Sequence, residues 1–137
     1  MLITRRKAVN QMKIQESAEN YLETILMLTK KNSFVRSIDI AHELEFSKAS
    51  VSVAMKSLRE AGYITVNDGG AIVLTEMGLE VAERMYERHE IIAEILISIG
   101  VDKETAYEDS CKIEHVISDL TFEKLKQYIE NTKPERI

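Results

Sequence analysis

The stretch that decides the fold spans residues 37–75 and reads SIDIAHELEFSKASVSVAMKSLREAGYITVNDGGAIVLT. It begins with Ser37, a residue type that favours the N-cap position, and predicts a short helix over residues 38–44. After a two-residue connection, Ser47 stands where it can cap a second helix over residues 48–61. A short helix, a tight turn and a second helix indicate a helix-turn-helix.

A β-hairpin is predicted directly after these two helices. Gly62 stands where a helix C-terminus favours a positive φ, and residues 63–66 and 71–74 are rich in strand-forming side chains. The four residues between the strands, Asn67-Asp68-Gly69-Gly70, are typical of hairpin turns. Because helix lengths, caps and hairpin agree, the stretch predicts a winged helix-turn-helix with a small β-hairpin wing.

The rest of the chain is mainly α-helical by its hydrophobic periodicity. Four further helices are predicted, over residues 17–31, 76–99, 103–117 and 121–130. Thr75 is placed to cap the second of these. Residues 1–14 lack clear periodicity and are expected to form an arm. The predicted fold class is therefore mainly α, a winged helix-turn-helix followed by a helical domain.

Charge is distributed unevenly along the chain. The net charge is −5, yet residues 1–75 carry +2 and residues 76–137 carry −7. This asymmetry predicts a basic reading domain over residues 1–75 and an acidic, helical regulatory domain over residues 76–137. Ordinary surface charge is the alternative interpretation.

The composition excludes several classes of protein. Hydrophobic residues make up 45% and charged residues 30%, as in soluble globular proteins. No apolar stretch approaches the roughly 20 residues that cross a bilayer, and no apolar signal core follows the basic start. Cys111 is the only cysteine, which excludes an intrachain disulfide and fits a reducing compartment. We expect a cytoplasmic protein with no membrane partner.

The acidic half predicts a small core of about three helices, which is below the size at which single domains are stable alone. An apolar helical stripe on so small a unit usually meets a partner. We therefore expect a two-fold homodimer, which in helix-turn-helix proteins matches palindromic double-stranded DNA.

The second helix of a helix-turn-helix enters the major groove and carries the residues that read bases. Its outward side chains here are small or basic, so they can contact bases, phosphates or thymine methyl groups. The predicted DNA-binding residues are Ser47, Lys48, Ala49, Ser50, Ser52, Val53 and Lys56. The alternative interpretation is a merely solvated polar face.

A cluster of metal-ligand residue types lies in the acidic half. Cys111, Glu114 and His115 stand at i, i+3 and i+4, which places a thiol, a carboxylate and an imidazole on one face of a predicted helix. Taken alone, Cys111 is more typical of a small buried hydrophobe than of a metal ligand. His89 on the preceding helix and Glu23 on the first helix supply further ligand types.

Several short motifs resemble the diphtheria-toxin-repressor and manganese-transport-regulator family, and the resemblance covers roughly residues 16–130. The motifs are Glu19-Asn20-Tyr21-Leu22-Glu23, Asp39-Ile40-Ala41, Ser50-Val51-Ser52, Leu74-Thr75-Glu76-Met77-Gly78, Arg88-His89-Glu90 and Ile113-Glu114-His115. The resemblance implies a metal-activated repressor of genes for metal-ion homeostasis, one that is not an enzyme. It also implies dimerisation and metal binding by the helical domain.

The resemblance implies a set of metal ligands residue by residue. Positions that match the family's metal-binding residues are Glu23, His89, Cys111, Glu114 and His115, with Asn20 as a weak ligand. Cys111 resembles the iron branch of the family, whereas the short chain resembles the manganese branch. Ala93 departs from an acidic residue of the iron branch's second site. A two-metal site like that of the manganese branch would lose acidic ligands at Asn20 and Cys111, so we expect one well-made site.

The donor types favour Fe(II) or Mn(II), with Zn(II), Co(II) or Ni(II) binding in vitro. One alternative is a winged-helix regulator with a degenerate metal site that responds to another ligand or to redox change at Cys111. A metalloenzyme is disfavoured, because the sequence supplies no accompanying nucleophile or phosphate-binding loop.

Overall fold

Six helices and one β-hairpin are found in this computed structural model, which describes the backbone of residues 2–132 and the side chains of residues 16–132. The elements are α1 (Leu2–Lys31), α2 (Ser37–Leu44), α3 (Lys48–Glu60), β1 (Ile64–Val66), β2 (Ile72–Leu74), α4 (Glu76–Ser98), α5 (Lys103–Ile113) and α6 (Asp119–Thr132). The predicted winged helix-turn-helix followed by helices is confirmed. None of the described helices is both long and apolar enough to span a membrane.

The chain forms two structural units that divide between Glu83 and Arg84, inside α4. The core of the first unit combines side chains from α1, α2, α3 and β1. Its most deeply buried members include Leu22, Ile25, Ile40, Val51 and Ile64. Complete burial of each such side chain contributes about 1.5–3 kcal/mol, so this core holds the three helices of the unit together.

Local hydrogen bonds set the ends of α2 and α3. The Ser47 hydroxyl accepts a hydrogen bond from the Ser50 backbone N–H at 3.1 Å, which confirms the predicted cap of α3. Ser37 is instead the first residue of α2, and Arg36 occupies the N-cap position. The Asp39 carboxylate accepts from the Arg36 N–H at 2.8 Å, so the cap is closed from inside the helix.

The hairpin pairs β1 and β2 in antiparallel register, with Thr65 opposite Val73. The Asn67 side-chain oxygen accepts hydrogen bonds from the N–H groups of Gly69 and Ala71, at 3.0 and 2.9 Å. This side-chain bonding pattern explains why a turn forms at the predicted residues.

The start of α4 lies very close to the chain that enters β1. The Thr75 hydroxyl donates to the Gly62 carbonyl at 2.7 Å and accepts from the Gly78 N–H at 3.2 Å, which confirms Thr75 as the cap. A Cβ atom at Gly78 would lie 2.0 Å from the Tyr63 carbonyl oxygen. Only glycine permits this approach, so Gly78 fixes where α4 begins against the wing.

Several other helix boundaries also differ from the sequence-based predictions. α1 is helical from Leu2 rather than Ser17, because residues 2–16 contain no glycine or proline and include many helix-forming residues. α5 ends at Ile113 rather than near residue 117. α6 begins at Asp119 rather than Thr121, because the Ser118 hydroxyl accepts from the Thr121 N–H at 3.1 Å.

Candidate functional site

The face of α3 that was predicted to read DNA is open to solvent. All seven predicted residues, Ser47, Lys48, Ala49, Ser50, Ser52, Val53 and Lys56, are exposed. The opposite side of the helix buries Val51, Met55 and Leu58 in the core of the first unit. The helix therefore presents a face of hydroxyls, small apolar groups and two ammonium groups.

Two of those hydroxyls already bond to each other. The Ser47 hydroxyl donates to the Ser50 hydroxyl at 2.8 Å while it also accepts from the Ser50 N–H. The first turn of α3 is thus fixed in position before any ligand binds.

The second unit brings three different ligand types together. One ring nitrogen of His89, the Cys111 sulfur and a carboxylate oxygen of Glu114 all lie within 4.8 Å of one another. His89 lies on α4 and Cys111 on the last turn of α5, and Glu114 is the first residue after α5. Atoms this close can hold one metal ion.

Glu114 is the most buried member of this cluster, with no exposed side-chain surface. Its Oε2 lies 2.9 Å from His89 Nδ1, and its Oε1 lies 3.2 Å from His115 Nε2. Burying an ionised carboxylate is costly unless polar partners compensate it. Two imidazoles supply these partners here, and they are themselves metal-ligand groups.

Cys111 differs from its neighbours because it is exposed, so it does not behave as a small buried hydrophobe.

Glu114 and His115 do not lie on a helix, in contrast to the prediction. Because α5 ends at Ile113, they lie in the turn that follows the helix rather than on the helix itself. Their position depends on contacts made by that turn, which sequence spacing does not reveal.

Further residues hold His89 in place. The Ser110 hydroxyl donates to the His89 carbonyl oxygen. The centres of the Tyr107 and His89 rings lie 5.3 Å apart, and the Tyr107 hydroxyl donates to the Glu90 carboxylate at 2.9 Å. This hydrogen bond to a carboxylate, together with partial burial, raises the pKa of Tyr107 above its ordinary value. Tyr107 therefore stays protonated and keeps this bond at neutral pH.

Sequence reasoning assigned no role to Ser110 or Tyr107, and it quoted Arg88 only as part of a motif. The partners of these residues are 17 to 31 positions away along the chain, a separation that helical periodicity does not report. The adjacency of Arg88 to His89 was the only available signal.

Asn20 and Glu23 both lie on α1, in the first unit. Glu23 is buried and Asn20 is partly exposed. They share one helical face because they are three residues apart.

The donor chemistry of the second unit fits a divalent transition metal. Imidazole nitrogen, thiolate sulfur and carboxylate oxygen are all ligands of such ions, and a buried carboxylate between two imidazoles offers a charge for the cation to neutralise. These residues therefore fit a divalent transition metal ion.

Two family models match almost the whole chain. Residues 13–72 match the domain described as "Iron dependent repressor, N-terminal DNA binding domain". Residues 75–135 match the domain described as "Iron dependent repressor, metal binding and dimerisation domain".

Individual proteins show the same relationship. The chain is 34% identical over 122 residues to an uncharacterized HTH-type transcriptional regulator of Methanocaldococcus jannaschii, covering 88% of this chain and 98% of that protein. It is also 34% identical over 117 residues to the HTH-type transcriptional regulator MntR of Bacillus subtilis, covering 83% and 82%.

Solved structures share the fold. The hypothetical protein SSo2273 from Sulfolobus solfataricus is 26% identical with a TM-score of 0.62, over 82% of this chain and 87% of that one. The T. acidophilum IdeR structure is 26% identical with a TM-score of 0.73, over 82% of this chain but 53% of that one. The chain thus spans about half the length of IdeR.

Members of this family are DNA-binding transcription regulators rather than enzymes. Two matching domain models, relatives above 30% identity over most of their length, and a shared fold all lead to one assignment. The chain belongs to the iron-dependent repressor family, the family of the DtxR and MntR regulators.

Proposed function

We propose that this protein represses genes of metal-ion homeostasis when its second unit holds a divalent transition metal. The observation that carries the proposal is the grouping of His89, Cys111 and Glu114 within 4.8 Å, in a chain of the iron-dependent repressor family. Within this family, metal binding and DNA binding belong to separate domains. We assign DNA reading to residues 1–75, and dimerisation and metal binding to residues 76–137.

The proposed ligands are His89, Cys111, Glu114 and His115, completed by Glu23 and, more weakly, Asn20. The support for His115 is its distance of 3.2 Å from Glu114. Glu23 and Asn20 rest on the family resemblance and on their shared face of α1. Asn20 can ligate only through its carbonyl oxygen, a weaker donor than a carboxylate.

Fe(II) or Mn(II) is the proposed metal, since carboxylates favour Mn(II) and Fe(II) while a thiolate adds affinity for Fe(II). His89 and His115 would bind the metal as neutral imidazoles and Cys111 as a thiolate. A bound cation supplies the positive charge that the buried carboxylate and the thiolate share.

Metal is proposed to act by narrowing the conformations available to the dimer, so that both α3 helices fit a palindromic operator together. A tenfold gain in operator affinity requires only about 1.4 kcal/mol of coupling. Such a regulator works where the genome and the metal pool are, which supports a cytoplasmic location.

The deciding experiment is operator binding titrated with Mn(II), Fe(II), Co(II) and Zn(II) under reducing conditions. Cys111→Ala and His115→Ala are expected to abolish metal stimulation of binding. His42→Ala is the control and should keep the metal stimulation, because His42 is exposed on α2 in the first unit and is not a proposed ligand.

Unchanged stimulation in Cys111→Ala and His115→Ala would refute the ligand assignment. Operator affinity that is the same with and without each metal, but changes when Cys111 is oxidised, would support the redox-responsive alternative.

A further inference from the structure

The side chain of Arg88 joins three elements of the second unit. It leaves α4 beside His89 and is almost completely buried. Its Nη1 donates to the Glu114 carbonyl oxygen at 3.2 Å and to the Ile117 carbonyl oxygen at 3.1 Å. Its Nη2 donates to the Asp119 carboxylate, and its guanidinium carbon lies 5.1 Å from the centre of the Phe122 ring.

These bonds hold the turn that follows α5, over residues 114–118. Helices often end with a left-handed glycine, which bonds the last carbonyl groups. Residues 113–118 contain no glycine, and none of them has a positive φ. The Ser110 and Ile113 carbonyls of α5 accept bonds from the backbone N–H groups of Glu114 and Val116. Arg88 satisfies the Glu114 and Ile117 carbonyls of the turn that follows, and its positive charge also suits the negative end of the α5 dipole.

The carbonyl that Arg88 holds belongs to the residue that places a carboxylate between two imidazoles. Arg88 therefore fixes the backbone of Glu114, while the neighbouring His89 contacts the side chain of the same residue. On the far side of the turn, Asp119 begins α6, so the same guanidinium also sets the distance between α5 and α6.

We propose that Arg88 is a positioning residue for the metal centre, acting through the backbone of the turn over residues 114–118. The inference rests on the proposed function and adds a residue that need not touch the metal. Without Arg88 the turn keeps its metal ligands but samples more conformations. Metal binding must then order the turn, and this lowers the affinity. Loss of supporting bonds of this kind lowers metal affinity by roughly tenfold to a hundredfold.

The experiment compares three variants, with Co(II) as the metal probe. Arg88→Lys keeps the charge but cannot reach both carbonyls and Asp119 together. Asp119→Ala removes the anchor of the guanidinium at a side chain that is 90% exposed, so the variant is expected to fold. Lys126→Met is the matched control, because the Lys126–Glu87 ion pair also joins α6 to α4 but is not made by any of residues 114–118.

Co(II) affinity is expected to fall at least about tenfold in Arg88→Lys and about threefold in Asp119→Ala, and to stay unchanged in Lys126→Met. Amide hydrogen exchange in the metal-free proteins is the second measurement. The N–H groups of Glu114 and Val116 should exchange faster in the first two variants, while the exchange of α4 is unchanged.

Each outcome separates the two proposals. If the unmodified protein fails to bind Co(II), the proposed function fails. If it binds and all variants bind equally well, only the role of Arg88 is overturned. A loss of affinity that merely follows the loss of stability, equal in Lys126→Met and Asp119→Ala, would reduce Arg88 to a structural residue. If Arg88→Lys does not fold, Asp119→Ala decides the question.

Discussion

The two units place their chemistry in opposite ways. The first unit presents its seven candidate DNA-binding residues on the exposed face of one helix, α3, and neighbouring residues cap that helix. The second unit assembles its cluster by bringing His89 of α4 beside Cys111 and Glu114, which lie more than 20 positions further along the chain. One site is built by local sequence and the other by tertiary contacts, so the two should respond differently to substitution.

Replacing Glu114 should give the largest effect on metal affinity. That effect should be confined to the second unit. Glu114→Gln keeps the shape of the side chain but removes the charge between His89 and His115, so metal affinity should fall by roughly a hundredfold or more. Calorimetry with Mn(II) and Co(II) measures this loss. Glu108→Gln, on the exposed surface of α5, is the control. Comparable losses in both variants would mean that the buried carboxylate has no special role.

A substitution at Gly78 tests whether the first unit tolerates changes away from the exposed face of α3. Gly78→Ala places a Cβ against the Tyr63 carbonyl and should lower the free energy of unfolding by about 1–3 kcal/mol. Gly69→Ala is the matched control, because a Cβ there meets only the Asn67 side chain at 3.4 Å. Urea denaturation compares the two. Equal stabilities would show that α4 shifts away from the wing at little cost.

The basic residues of α3 should affect DNA binding without affecting the metal centre. Lys48→Ala combined with Lys56→Ala should weaken binding to all sequences and should reduce the salt dependence by about one unit per lost phosphate contact. Fluorescence anisotropy over a range of salt concentrations measures this slope. Lys103→Ala combined with Lys124→Ala, both exposed in the second unit, removes the same two charges and is the control. A slope that stays constant would remove both lysines from the phosphate contacts.

Glu45 should give the smallest effect, and one of opposite sign. Of the described residues, Glu45 alone has a positive φ without being glycine, at 58°. Glu45→Gly relieves this strain and should raise the free energy of unfolding by about 0.5–1 kcal/mol. Glu43→Gly, inside α2, should instead lower it by about as much. Thermal unfolding of both variants tests the difference in sign.

The contrast between local hydrogen bonds and distant tertiary contacts also explains which features could be predicted from the sequence. Ser47 and Thr75 cap helices through bonds to residues three positions away, and the turn after Asn67 forms within five residues, so all three were readable from short stretches. The turn after α5 was not, because Arg88 bonds two of its carbonyls from 26 and 29 residues earlier. The ligand types at Cys111, Glu114 and His115 were predictable, whereas the turn that presents two of them was not.

The pair of hydroxyls at the start of α3 affects how substitutions there should be interpreted. Replacing Ser47 removes the helix cap together with any contact to DNA, so a loss of operator affinity would mix folding with recognition. Because Ser47 and Ser50 share their hydrogen bonds, the effects of replacing them will not add. A double-mutant cycle, with operator affinity and helix stability both measured, is the way to assign a base contact to either serine.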